Sequence, residues 1–221
     1  MSQSSPLLEI RNLALERDQR LLFTGLSMAL GAGEILQVLG PNGAGKTSLL
    51  RVLATVSNDV SGDILFQGKS IATHPWDYTT RCLYLGHMPG IKKALTPLEN
   101  LCWYTAQLPV RMAIEEALAR VGLAGYEDTA CYQLSAGQLR RVALARLYLS
   151  RADVWILDEP FTAIDKPGVK ALESLMLEQS GRGGLVILTS HQDLNLPGLR
   201  QLNLLDYRPV PAGRYASGEK A

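Results

Sequence analysis

The stretch Gly40-Pro41-Asn42-Gly43-Ala44-Gly45-Lys46-Thr47 constrains this chain more than any other. It lies between the apolar run Ile35-Leu36-Gln37-Val38-Leu39, which predicts a buried strand, and Ser48-Leu49-Leu50-Arg51-Val52-Leu53, which predicts the first turns of a helix. Strand, glycine-rich loop and helix in that order are the setting of a phosphate-binding loop. Gly43 and Gly45 let the backbone adopt conformations that side chains forbid, so several N–H groups can turn inward around a β-phosphate at a helix N-terminus. Lys46 adds positive charge toward the β- and γ-phosphates, and the Thr47 hydroxyl is suited to ligate Mg²⁺. A glycine-rich turn that only caps a helix is the plainer alternative, and the complete set of fixed positions speaks against it. The nucleotide-binding residues expected from this loop run from Gly40 through Ser48.

Two continuous apolar runs downstream, Asp153-Val154-Trp155-Ile156-Leu157 and Leu185-Val186-Ile187-Leu188-Thr189, do not alternate. They predict strands buried on both faces, as in a parallel sheet covered by helices, with a helix from about 166 to 179 between them. Residues 7 to 39 alternate as antiparallel strands do, with a charged hairpin tip at Glu16-Arg17-Asp18, and Ser61-Gly62-Asp63 reads as a turn into the strand Ile64-Leu65-Phe66. A strand is expected over 82–87. From 88 to about 133 the signals become helical, with a capping box at Thr96-Pro97-Leu98-Glu99 and a striped helix from Ile114 closed by Gly122. A helix over 136–150 then returns to the core.

The expected fold is therefore α/β: a P-loop NTPase core with a mainly parallel sheet, an antiparallel β-layer and a helical subdomain. Residues 1–87 and 134–208 form the core with its β-layer, 88–133 the subdomain, and 209–221 a flexible tail. A chain of 221 residues can bury one large core. With 22 basic and 21 acidic residues the formal charge is +1, so nothing points to a nucleic-acid partner. No apolar run reaches a membrane span and no export signal is evident, which predicts a cytosolic chain whose Cys82, Cys102 and Cys131 are reduced and mostly packed.

Ligands of parallel sheets gather at the carboxyl ends of strands. There the sequence places Asp158-Glu159: Asp158 suits Mg²⁺, and Glu159 suits acceptance of a proton from an attacking water. His191, just past the next core strand, is placed to stabilise a γ-phosphate. Ser135-Ala136-Gly137-Gln138 reads locally as another capping box, yet it also exposes a helix N-terminus with no anion in its own loop to fill it. Arg140 and Arg141, one turn in, are as suited to bracing the fold as to binding a ligand.

Gly40–Thr47, Leu134–Gln138, Leu157-Asp158-Glu159-Pro160 and His191 together resemble the phosphate loop, signature, acidic strand and switch histidine of ABC-type ATPases. Thr162-Ala163-Ile164-Asp165 is similar to the loop that meets its counterpart across the dimer in that family. The resemblance implies ATP and Mg²⁺ as cofactors and a second copy of the chain packed head to tail, each ATP lying between one phosphate loop and the other copy's signature. The segments 85–92, 95–101 and 155–165 further resemble the ATP-binding subunits of the heme exporter complex in bacterial cytochrome c maturation. That resemblance implies a peripheral protein on the cytoplasmic face of the inner membrane. Its partners would be the integral membrane subunits CcmB, CcmC and CcmD and, indirectly, the heme chaperone CcmE.

Two positions depart from the family pattern. Where the glutamine loop carries glutamine, this chain has Met88, whose thioether is a poor Mg²⁺ ligand and a weak acceptor, so slower hydrolysis or weaker coupling than in a Met88→Gln variant is expected. His87 beside it is a candidate partial replacement, against which stands the rule that adjacent side chains of a strand point to opposite faces. Where many ABC ATPases stack an aromatic ring on adenine, the nearest residue is Arg17, whose guanidinium can stack on a base. Two other functions share much of this pattern: an exporter of lipids, peptides or drugs, and a non-transport ABC ATPase acting on DNA or ribosomes. Against the second stand a single set of motifs and the lack of a heptad run.

Overall fold

A computed structural model describes residues 5–57 and 60–209, so all but Pro209 of the expected tail lies outside the described residues. Two sheets organise the chain. The first is antiparallel, in the order β2-β1-β4-β5, built from β1 (Leu8–Arg17), β2 (Arg20–Leu30), β4 (Val60–Phe66) and the short β5 (Lys69–Ser70). The second runs β6-β7-β8-β3-β9, from β3 (Ile35–Leu39), β6 (Cys82–Leu85), β7 (Val154–Asp158), β8 (Leu185–Thr189) and β9 (Leu199–Asn203), and every pairing in it is parallel.

Local irregularities explain where the alternating pattern of the first sheet slips. In β1 the buried residues are Leu8 and Ile10, then Leu13 and Leu15, so the inward parity changes between them. The register shifts there against both neighbouring strands, and Asn12 has φ 48°, as a bulge requires. Opposite it, Gly62 has φ 99°, and a Cβ on it would lie 2.5 Å from the Asn12 carbonyl oxygen. Ser61–Asp63 therefore belong to strand β4, where the sequence had suggested a turn. A second correction concerns β3, which follows the antiparallel pair in sequence but joins the parallel sheet, between β8 and β9.

The parallel sheet has its side chains divided between two cores. Val154 and Ile156 of β7, Leu185 and Ile187 of β8, and Leu36 and Val38 of β3 pack with helix α1 (Lys46–Leu53) and the antiparallel layer. Trp155 and Leu157, Val186 and Leu188, and Ile35 face the other way, toward α5 (Ala136–Leu149) and α6 (Lys166–Gly181). Burial on both faces is why β7 and β8 read as unbroken apolar runs. Each such side chain contributes about 1.5–3 kcal/mol on burial, and truncating the fully buried Trp155 to alanine costs about 3–5 kcal/mol.

Helix α5 is a bridge. Ala143, Leu144 and Leu147 belong to the core under the parallel sheet. Val142, Ala145 and Leu149, on another side of the same helix, pack with Leu101 of α3 (Pro97–Thr105) and with Ala117 and Leu118 of α4 (Ile114–Arg120). Both capping boxes form, at Thr96–Glu99 and at Ser135–Gln138. The short helix α2 (Pro75–Thr79) and the edge strand β9 had no counterpart in the sequence reading. Strand β6 stops at Leu85, two residues short of the expected end. Cys131 is buried and Cys82 partly so, as expected of mostly packed thiols, while Cys102 is exposed on α3.

Candidate functional site

The carboxyl ends of β3, β7 and β8 converge on one open cleft of about 640 Å³. Its lining includes Gly43, Gly45, Lys46, Thr47 and Ser48 of the glycine-rich loop together with Arg17, His87, Glu159 and His191. Helix α1 starts at Lys46 without a side-chain cap, which leaves its first-turn N–H groups for an anion. The loop admits no side chain at Gly45: φ is 98°, and a Cβ there would press on Leu22 at 3.3 Å. In this structure Lys46 Nζ donates to the carbonyl oxygens of Gly40 at 2.7 Å and Pro41 at 3.3 Å, which stand in for phosphate oxygens as the lysine's acceptors.

Asp158 is the buried hinge of the site. Its Oδ1 accepts from Thr47 Oγ1 at 3.2 Å and from Thr189 Oγ1 at 2.8 Å, while Oδ2 is buried without a hydrogen-bond partner. Thr189 also accepts from the Glu159 N–H at 3.0 Å, so one hydroxyl couples the aspartate side chain to the next residue's backbone. A threonine hydroxyl beside a carboxylate with a free buried oxygen is a donor set that suits a hard divalent cation, and Thr47 and Asp158 fit Mg²⁺. The ion would supply charge neutralisation on the β- and γ-phosphates.

Glu159 follows at φ 50°, a left-handed conformation that costs a non-glycine residue about 1–2 kcal/mol. Its Oε1 is buried and unpartnered, and its Oε2 accepts from the His191 N–H at 3.3 Å. His191 Nε2 lies 3.6 Å from Oε1. The carboxylate and imidazole thus stand side by side, with one buried carboxylate oxygen unsatisfied.

Arg140 holds the ends of β6 and β7 together from beneath. Only 3% exposed, it donates to the carbonyl oxygens of Gly86 at 3.0 Å and Glu159 at 2.7 Å. Burial pushes its pKa below the ordinary arginine value, and the Asp158 and Glu159 carboxylates oppose that shift. Arg141 ion-pairs with Asp165 at 3.0 Å, and Asp165 caps α6 by accepting from the Gly168 N–H at 3.2 Å. On local evidence the two arginines brace the fold, the first of the two roles the sequence left open.

The signature residues lie elsewhere. Ser135 and Gln138 satisfy each other, Ser135 accepting from the Gln138 N–H at 3.2 Å and Gln138 accepting in return at 2.9 Å, and Ser135 and Ala136 are exposed. A Cβ on Gly137 would meet the Ala163 carbonyl oxygen at 3.3 Å, which places the signature turn against the loop that leads to Asp165. None of Ser135, Ala136, Gly137 and Gln138 lines the cleft of its own chain. Met88, read from the sequence as standing at a glutamine-loop position, is outside that lining too, whereas His87 is within it.

Sequence reasoning missed Thr189, Arg20 and Leu22, the last two also lining the cleft. For Thr189 a signal existed. It is the polar end of an apolar strand whose register sets it opposite Asp158.

A family model described as ABC transporter matches residues 23–162. A Cytochrome c biogenesis ATP-binding export protein CcmA of Saccharophagus degradans is 51% identical over 213 residues, covering 91% of this chain and 94% of its own. The proteins of the same name from Escherichia coli O157:H7 and Pseudomonas fluorescens are each 51% identical, covering 92% and 96% of this chain and 99% of their own. Among solved structures, a putative ABC transporter ATP-binding protein from Pyrococcus furiosus superposes with TM-score 0.78 at 27% identity, over 91% of this chain and 99% of that one. This chain therefore belongs to the ABC transporter ATPases, which hydrolyse ATP, and within them to the CcmA cytochrome c biogenesis ATP-binding export proteins.

Proposed function

We propose that this chain drives a heme exporter complex of cytochrome c maturation by hydrolysing ATP in a head-to-tail pair of its own copies. The separation of the signature from the cleft carries this reading: Ser135–Gln138 expose a helix N-terminus that no part of the same chain's cleft uses. A second copy packed in the opposite sense would bring Ser135 and Gly137 over the γ-phosphate, so ATP would join the two. Asp165, beside the signature turn through Arg141, would lie along the same seam.

Within each site Lys46 and the loop N–H groups bind the phosphates, with Thr47 and Asp158 as the residues that would hold Mg²⁺. Glu159 orients the attacking water and accepts its proton, and His191 steadies both the carboxylate and the transferring phosphoryl group. Arg17, at the mouth of the cleft, packs on the adenine. Opening after hydrolysis moves residues 88–133, read as the helical subdomain, and through them the membrane partners CcmB, CcmC and CcmD, with release of heme-loaded CcmE as the outcome. Among the described residues no helix is long and apolar enough to cross a membrane, which fits a peripheral place on the cytoplasmic face of the inner membrane.

Complementation tests the pairing. A Lys46→Ala chain mixed with a Ser135→Arg chain leaves one site with an intact phosphate loop and an intact signature, so the mixture should regain ATPase activity that neither has alone. No recovery in the mixture would contradict the head-to-tail arrangement. For the exporter role, cells carrying only Lys46→Ala should lose covalently bound heme in their c-type cytochromes, and normal heme attachment would contradict it.

A further inference from the structure

His87 and Met88 are neighbours in sequence that part in space. Beyond Leu85 the backbone leaves strand β6 and runs irregularly from Gly86 to Gly90. Met88 is 78% exposed and stands outside the nucleotide cleft, whereas His87 lines the cleft together with Lys46, Thr47, Glu159 and His191. The backbone at Gly86 and His87 is held by the same buried guanidinium that holds the backbone of Glu159. Arg140 Nη1 donates to the Gly86 carbonyl oxygen at 3.0 Å and reaches that of His87 at 3.5 Å, while Nη2 donates to that of Glu159 at 2.7 Å. No hydrogen bond joins the His87 imidazole to any described residue, so its ring nitrogens are unpaired beside the cleft that the residue lines.

We infer that His87 is a catalytic residue of ATP hydrolysis in this chain, its ring N–H donating to a γ-phosphate oxygen as charge builds there. A thioether has no proton to donate, so Met88 can supply no such bond from any position. The imidazole takes over the polar contact of this segment, and the methionine one residue on is free to face outward. A donor fixed before the reaction begins acts without reorganisation, and removal of one such donor lowers turnover by about 10²–10³-fold in sites of this kind. The inference rests on the hydrolytic assignment of Glu159 and adds a fourth side chain to Lys46, Glu159 and His191.

The test uses the full chain with ATP and Mg²⁺, in single turnover with the chain in excess. His87→Ala should lower the rate of hydrolysis by about a hundredfold or more, with ATP affinity within about threefold and an unchanged unfolding midpoint, since the side chain is exposed. His87→Gln, which keeps an N–H donor, should recover a third or more of the rate. Met88→Gln and Met88→Ala should stay within twofold of the unmutated chain, reversing what the sequence alone suggested for Met88→Gln. A His87→Ala rate within twofold of the unmutated one, a glutamine variant no faster than alanine, or an equal loss in Met88→Ala would each overturn the inference. Full turnover in Glu159→Gln would instead remove the hydrolytic assignment on which it rests.

Discussion

The backbone N–H of His191 donates to Glu159 Oε2 at 3.3 Å while the imidazole of the same residue stands 3.6 Å from Oε1. The histidine thus meets the carboxylate through two independent groups. Replacing the ring leaves the backbone bond and the position of Glu159 in place, so the loss should fall on the chemical step. His191→Ala is expected to reduce kcat by about 10²-fold with KM for ATP within about threefold. Steady-state ATPase assays across ATP concentration check the split, and a large rise in KM at constant kcat would assign the ring to ground-state binding.

Arg140 should matter to stability as well as to rate. Its side chain satisfies the carbonyl oxygens of Gly86 and Glu159 from a buried position, and alanine would remove both bonds, leaving the Glu159 oxygen only the Thr162 N–H at 3.3 Å. Arg140→Ala should cost about 2–4 kcal/mol in urea unfolding. Arg140→Lys, with one point donor in place of a fork, should retain part of the stability and lose more of the rate.

Arg17 projects from the tip of the β1–β2 hairpin, with 64% of its side chain exposed and Asp18 at 3.5 Å as a loose partner. At such an exposed place a cation stacked on a base contributes about 0.5–1 kcal/mol. Arg17→Ala should weaken ATP binding by about two- to fivefold, measured by calorimetry in the Glu159→Gln background. Unchanged affinity would free Arg17 of the base.

The three thiols should react in an order set by burial. Cys102 is exposed on α3, whereas burial pushes the Cys82 thiol up to about 12, and Cys131 is raised too, again mainly by burial. Iodoacetamide at pH 8 should alkylate Cys102 first and the others only on unfolding, as peptide mass spectrometry can show. The raised Cys82 pKa also gives a sign for stability. Its contribution is whole below the ordinary thiol value of 9.0 and is lost as pH climbs from there toward about 12, because the unfolded thiol ionises and the folded one does not. Urea midpoints should therefore fall with rising pH over that window.

Much of this molecule was legible in its sequence, and the exceptions have physical causes. The loop from Gly40 to Thr47, Asp158-Glu159 and the capping box at Ser135 are encoded within a few residues, so local spacing was enough. Strand β9 was missed because it is an edge strand with Arg200 and Gln201 exposed and only Leu202 buried, which leaves little apolar signal. The place of β3 beside β8 and β9 depends on partners 150 residues away, and no pattern within β3 states it. At His87 and Met88 the alternation of a strand was applied past its end: they do diverge, but the cleft receives the histidine. Thr189 was read only as the end of a strand, since its role comes from the register that sets it opposite Asp158.

Glu159 is the residue on which the whole account turns, and its amide variant keeps the shape while removing the proton acceptor. The decisive measurement is ATP hydrolysis by the complex of this chain with its membrane partners, compared with the same complex carrying Glu159→Gln. The account predicts turnover in the first, a loss of about 10²-fold or more in the second, and accumulation of ATP-bound dimers of the variant chain on size-exclusion chromatography. Equal turnover in the two complexes, or a Glu159→Gln chain that stays monomeric with ATP bound, would contradict it.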